Sequence, residues 1–148
     1  AFSALTDLCV SEFHVMSWIG QGLMIYQYLC TEAQQTYERA FSVIFVVHES
    51  NGERWEYRFL CVNQERFNPI NFGIDYHKDR YDGFACFHYG NGKWNFSVYN
   101  DNGEVDCSEI CKMLGGGGHK GASGFIGTEE FVIKLTHFRR IELIPLKS

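Results

Sequence analysis

Residues 54–61 read R-W-E-Y-R-F-L-C. Trp55, Tyr57, Phe59 and Cys61 fall on one side of an extended chain, and Arg54, Glu56 and Arg58 on the other. A period of two fits a strand with one buried face and does not fit a helix. The preceding "SVIFVV" is a short apolar run of buried-strand type, and Asn51-Gly52 between the two supplies the turn. An antiparallel hairpin follows. The pattern recurs downstream, where "FACFHY" and "KWNFSVY" flank Gly90-Asn91-Gly92. In the second arm Trp94, Phe96 and Val98 share one face, and Asn95, Ser97 and Tyr99 the other. Two consecutive hairpins commit the middle of the chain to a sheet.

Around this sheet the sequence reads as helix and loop. Residues 1–41 form a helical connector, with Gly20-Gln21-Gly22 expected to interrupt it before a second stretch from Leu23 to Phe41. Residues 42–148 form the main domain. Arg66 to Phe72 is expected to be a loop or short helix beside Pro69. "VDCSEICKML" is a short helix, with Asp106 as N-cap and Glu109 at the capping-box position. Cys107, Ile110, Cys111 and Leu114 form its buried stripe, and Gly115 stops it. "ASGFIG" reads as a strand at the sheet edge, "TEEFVIKLTHFRR" as a helix capped at Thr128, and "IELIPL" as a closing strand. The fold class is α+β, a mixed and largely antiparallel sheet packed with helices and preceded by the helical connector.

The chain has 148 residues and a net charge of −5, which argues against indiscriminate nucleic-acid binding through a broad basic surface. The charge is uneven. Residues 1–110 carry 7 Lys and Arg against 15 Asp and Glu, whereas residues 111–148 carry 6 against 3. No apolar run is long enough to span a bilayer, and no signal peptide is visible. A cytoplasmic protein without a membrane partner is expected. The first residue is Ala1, and a fragment of a longer polypeptide is expected. The six cysteines lack a C-x-x-C pair and sit mostly in apolar runs, as reduced core residues do. Cys107, Cys111 and His119 as metal ligands would lack a fourth ligand at a standard spacing.

The basic part of the chain contains "GGGGHKGASGF", Gly115 to Phe125. Four glycines are costly to order. As a flexible linker they would need no further reason. They instead join a well-capped helix to a tightly packed apolar segment. Bare backbone of this kind can turn consecutive N–H groups toward an anion. His119 can donate a hydrogen bond there, and Lys120 can add charge. A phosphate or carboxylate is the chemical expectation.

These residues resemble the GGGH-x-x-A-[AS]-G-F signature of the C-terminal, DHH-associated substrate-binding domain of DHH-family phosphoesterases. The lead-in "YDGFACFHYGNGKWNFSVYN" and "VDCSEICKMLGGGGH" is similar to the family's order of strand, hairpin, serine-bearing strand and helix. The likeness is specific over Tyr81 to Phe125 and looser over Ser42 to Arg80. It lies nearest the oligoribonuclease or cyclic-nucleotide phosphodiesterase branch.

The resemblance implies a substrate-binding domain of a metal-dependent phosphoesterase acting on short oligonucleotides or related nucleotide and polyphosphate substrates. Gly116, Gly117, Gly118 and His119 would hold the phosphate or nucleotide, with Lys120 added on chemical grounds. It implies an N-terminal DHH catalytic domain as partner, carrying manganese, with a homodimer also compatible. No Asp-His-His occurs here, and Asp75-Tyr76-His77 is the nearest approach. The expectation is that no catalytic or metal-ligating residue and no cofactor belong to this chain, and that it is inactive alone. Where many family members have Ser-x-Arg-Ser, this strand reads Ser97-Val98-Tyr99-Asn100. Tyr99 and Asn100 then contact base or sugar, or another residue supplies the charge. A stand-alone nucleotide- or RNA-binding module is the alternative, and a purely structural, dimer-forming role a third reading.

Overall fold

The structure, a computed structural model, describes residues 2–67 and 75–145, with side chains described from Glu12 onward. Helix α1 (Phe2–Arg39) is unbroken. The expected interruption at Gly20-Gln21-Gly22 does not occur. A glycine inside a helix costs about 1 kcal/mol relative to alanine, which a helix this long absorbs without breaking. Both glycines lie in open space, so neither is there for close packing.

The hairpins form as the alternation requires. β1 (Phe41–His48) pairs antiparallel with β2 (Arg54–Asn63), and β3 (Gly83–Gly90) with β4 (Lys93–Tyr99). Asn91 and Gly92 both adopt positive φ, 54° and 77°, which a two-residue hairpin turn of matching twist demands. Then come α2 (Cys107–Met113), β5 (Gly117–His119), β6 (Ala122–Gly127), α3 (Glu129–Ile133) and β7 (Arg140–Leu143). A π-helical turn, Lys134–Phe138, extends α3.

The seven strands make one sheet in the order β5-β6-β4-β3-β2-β1-β7. β2 with β3 and β1 with β7 run parallel, and the other neighbours antiparallel, so the sheet is mixed and largely antiparallel as expected. Two assignments change. The glycine run is not only a loop, because Gly117–His119 pair with β6 as a strand. "ASGFIG" is then an inner strand, with β5 outside it. The segment expected as loop or short helix at 66–72 lies largely outside the described residues. After it comes a 3-10 helix, Tyr76–Asp79, which the sequence does not announce.

Each face of the sheet has its own core. The back face carries Phe45, Phe59, Phe87, Phe96, Val98 and Phe125, covered by Cys107, Ile110 and Cys111 of α2 and by Leu135 beyond α3. Phe96 and Phe125 stack with ring centroids 4.6 Å apart, and Phe131 meets both edge-on. Full burial of each such side chain contributes about 1.5–3 kcal/mol. On the front face Ala33 and Tyr37 near the end of α1, together with Phe67 and Tyr76, cover Leu60, Phe84 and Cys86, and Tyr99 packs against this cluster. Among the described residues the face is exposed over β6 and β5, at Ala122, Ile126 and His119.

Candidate functional site

Two caps set the glycine run in place. Asp106 Oδ1 accepts the Ser108 N–H at 2.9 Å and the Ser108 hydroxyl at 2.5 Å, starting α2. Glu109 does not close a capping box; its carboxylate accepts from Lys112 at 3.1 Å. At the other end Gly115 has φ 84°, with Gly115 N–H on the Lys112 carbonyl and Gly116 N–H on the Cys111 carbonyl. This is a Schellman ending, and it turns the chain straight into β5.

The glycines are bare for different reasons. A Cβ on Gly116 would stand 2.1 Å from the Gly124 carbonyl oxygen, and one on Gly118 would stand 2.7 Å from Ser123 Cα. Gly118 also has φ 146°. Packing and backbone conformation therefore account for Gly115, Gly116 and Gly118. Gly117 is different. Its φ is not positive, and an added Cβ would meet nothing within 4 Å.

Strand register places the candidate residues. His119 pairs with Ala122, which pairs with Tyr99; Gly117 pairs with Gly124, which pairs with Ser97. Paired residues project to the same side of a sheet. Gly117, His119, Ser97 and Tyr99 thus share the front face, with Asn95 and His88 in the next row; His119 is exposed, Ser97 is half-buried and Tyr99 packs beside Phe84. A cleft of about 470 Å³ lies beside them, lined by Asn95, Ser97, Gly116, Gly124 and Ile126 together with Phe96 and Phe125; Gly117, His119 and Tyr99 do not line it. The Asn95 amide nitrogen donates to the Gly90 and Lys93 carbonyls, both at 3.2 Å. Beneath Ser97, burial pushes the Cys86 thiol up, opposed in part by hydrogen bonds from the Phe67 backbone and the Ser97 side chain.

Two sequence candidates do not join this group. Asn100 is buried, its amide donating to the Asp82 carbonyl at 2.5 Å and its oxygen accepting from Gly103 N–H at 2.8 Å. Lys120 lies in the two-residue turn between β5 and β6 and lines a separate cleft with Glu49, Glu104, Asp106 and Glu109. There the Ser108 hydrogen bonds, and then the Lys120 charge, hold the Asp106 carboxyl below its usual range. Asn95 and Ile126 are the additions. Alternation in β4 had put Asn95 beside Ser97; Ile126 carried no polar signal.

Cys107 and Cys111 are fully buried in the back-face core, whereas His119 is exposed, so these three do not come together. Among the described residues no group of three or more His, Cys, Asp or Glu could hold a metal ion. Asp75-Tyr76-His77 serves the fold. Asp75 caps the 3-10 helix through the His77 N–H at 3.0 Å. His77 Nδ1 donates to the Tyr81 carbonyl at 2.9 Å, and its Nε2 bonds Asp101, which also accepts from the Tyr76 hydroxyl at 3.1 Å. Arg58, one of two arginines on the front face of β2, is held by the Ser42 hydroxyl and the Asp79 carbonyl, with its guanidinium 4.4 Å over the Tyr81 ring.

No family model matches the chain, and no curated protein matches it by sequence. Solved structures do. A pGpG-specific phosphodiesterase, PggH from Vibrio cholerae, is similar over 80% of this chain and 40% of its own, at 13% identity and a TM-score of 0.52. The two share a fold. An uncharacterized protein from Helicobacter pylori G27 is similar over 70% of this chain and 26% of its own, at 16% identity and a TM-score of 0.41. The chain therefore spans less than half the length of either.

Proposed function

We propose that this chain is the DHH-associated, substrate-binding part of a phosphodiesterase, and that its front face holds the phosphate or nucleotide of a short oligonucleotide. The observation that carries the reading is the likeness of fold to part of the pGpG-specific phosphodiesterase, over 80% of this chain. The site is the glycine strand with His119. Gly117 leaves room for a ligand to approach backbone, His119 donates a hydrogen bond to an anionic oxygen, and Ser97, Asn95 and Tyr99 offer hydroxyl and amide groups to sugar or base. The chemistry of hydrolysis belongs to a separate DHH domain carrying manganese, where a metal-activated water would attack phosphorus. This chain orients the substrate and does not turn it over.

The test is an NMR titration of the 148-residue chain with a 5′-phosphorylated dinucleotide. Shifts are expected at Gly117, His119, Ser97 and Asn95, and their loss in His119→Ala. Shifts confined to the cleft around Lys120, or none, would sink the reading. Manganese-stimulated phosphodiesterase activity that co-purifies with this chain and disappears in His119→Ala would also overturn it.

A further inference from the structure

β7 is the last strand of the described sheet, at the opposite end from the glycine strand. Its inner edge pairs with β1 in parallel, and the Ile44 N–H donates to the Arg139 carbonyl at 3.0 Å. Backbone groups of successive residues in a strand point to opposite edges. With residues 139 and 141 turned to β1, the N–H and C=O of Arg140 and Glu142 point outward, and among the described residues no strand meets them. Such an edge is a template for another strand.

The sequence of this edge is self-complementary. We propose that β7 pairs antiparallel with β7 of a second copy, with the two-fold axis at Ile141. In that register Arg140 faces Glu142 of the other copy, and Glu142 faces its Arg140. Both are hydrogen-bonded pairs, because both residues present their backbone groups outward. Their side chains lie on the front face, and opposite charges directly across an antiparallel pair attract. Arg140 already bonds Glu56 at 2.9 Å and Glu142 at 3.3 Å, so the charges on this face are positioned. A dyad at Ile141 also turns the end of β7 in one copy toward the Arg139 turn that precedes β7 in the other. Ile144 is 72% exposed and Phe138 73%, two large apolar side chains with no cover of their own. A shift of one residue would set Arg140 against Arg140 of the other copy, or lose the outward hydrogen bonds. The contact is small beside a standard interface, so association is expected to depend on concentration.

The experiment is sedimentation equilibrium on the whole chain. Wild type shifts from monomer to dimer with rising concentration. Arg140→Glu and Glu142→Arg each put like charges across the dyad and weaken self-association roughly tenfold or more. Mixed in equal amounts, the two variants regain it, because every cross-strand pair is again of opposite charge. Circular dichroism checks that each is folded. Should a charge variant fail to fold, Glu142→Pro removes the outward N–H along with the carboxylate that bonds His48 and Arg140, leaves the bonds to β1 in place, and is expected to be monomeric. A wild type that stays monomeric, or association that no β7 substitution alters (as contact through the exposed Met16, Trp18 and Met24 of α1 would give), overturns the proposal.

Discussion

Gly116 lies so close to Gly124 that a Cβ on the first would stand 2.1 Å from the carbonyl oxygen of the second. The strand that carries the candidate site is therefore pressed backbone to backbone against its neighbour. Gly116→Ala is expected to destabilise the fold by about 1–3 kcal/mol, the usual cost of overpacking. Gly117→Ala should leave stability near wild type, since the added methyl meets nothing. Urea unfolding of the two variants makes the comparison. Equal losses at both positions would mean that Gly117 too is required by the fold.

His119 is exposed on the same strand. His119→Ala is expected to change stability by less than about 0.5 kcal/mol, as exposed positions outside special features do. Binding of a 5′-phosphorylated dinucleotide should fall at the same time. Thermal melting and a calorimetric titration on one preparation separate the two effects. A large drop in melting temperature would make His119 a structural residue.

The His77–Asp101 contact ties the 3-10 helix to the loop after β4. Burial works against protonation of His77, but hydrogen bonds to Asp101 and the Tyr81 carbonyl raise its pKa above the ordinary 6.5. Burial likewise opposes ionisation of Asp101, yet bonds from His77 and Tyr76 hold it below 3.8. A raised histidine stabilises fully below its unfolded value and loses that contribution as pH rises through the folded one. A lowered carboxylate stabilises above its unfolded value and loses that contribution as pH falls through the folded one. The pair thus works from about pH 4 to somewhat above pH 6.5. Asp101→Asn should lower the melting temperature most near pH 5.5 and much less above pH 8. A deficit that ignores pH would count against the charged pair.

Cys107 and Cys111 are fully buried, and burial pushes each thiol up to about 12. The thiolate is the reactive form. Iodoacetamide is expected to spare both in the native chain and to label both in denaturant, read by mass spectrometry. Rapid native labelling of either would mean that α2 opens from the sheet.

What the sequence shows clearly is what side chains encode. The hairpins were legible because Trp55 to Cys61 and Trp94 to Val98 alternate, and each pair is closed by an Asn-Gly turn. β5 was not legible as a strand, because glycines carry no alternation to read. The unbroken run through Gly20 was missed because a local propensity is weaker than the cooperativity of a long helix. At the site, Ser97 and Tyr99 could be put on one face from β4 alone. That Lys120 leaves His119 for another cleft follows from the two-residue turn between β5 and β6, which reverses the chain immediately after His119. Asn100 reads as a polar ligand contact, and only the tertiary fold reveals that the backbone at Asp82 and Gly103 claims it.

The sheet also dictates an order of assembly. β1 is made early and β7 late, yet the two are neighbours, Ile44 beside Arg140 and Val47 beside Leu143. Among the described strands, β1 has β2 on one side and waits for its other neighbour until residue 143 has emerged. Contacts of such long sequence separation form slowly. The nascent chain thus holds an unfinished, apolar strand open while residues 49 to 143 are made, and ribosome-associated chaperones have the most to protect there.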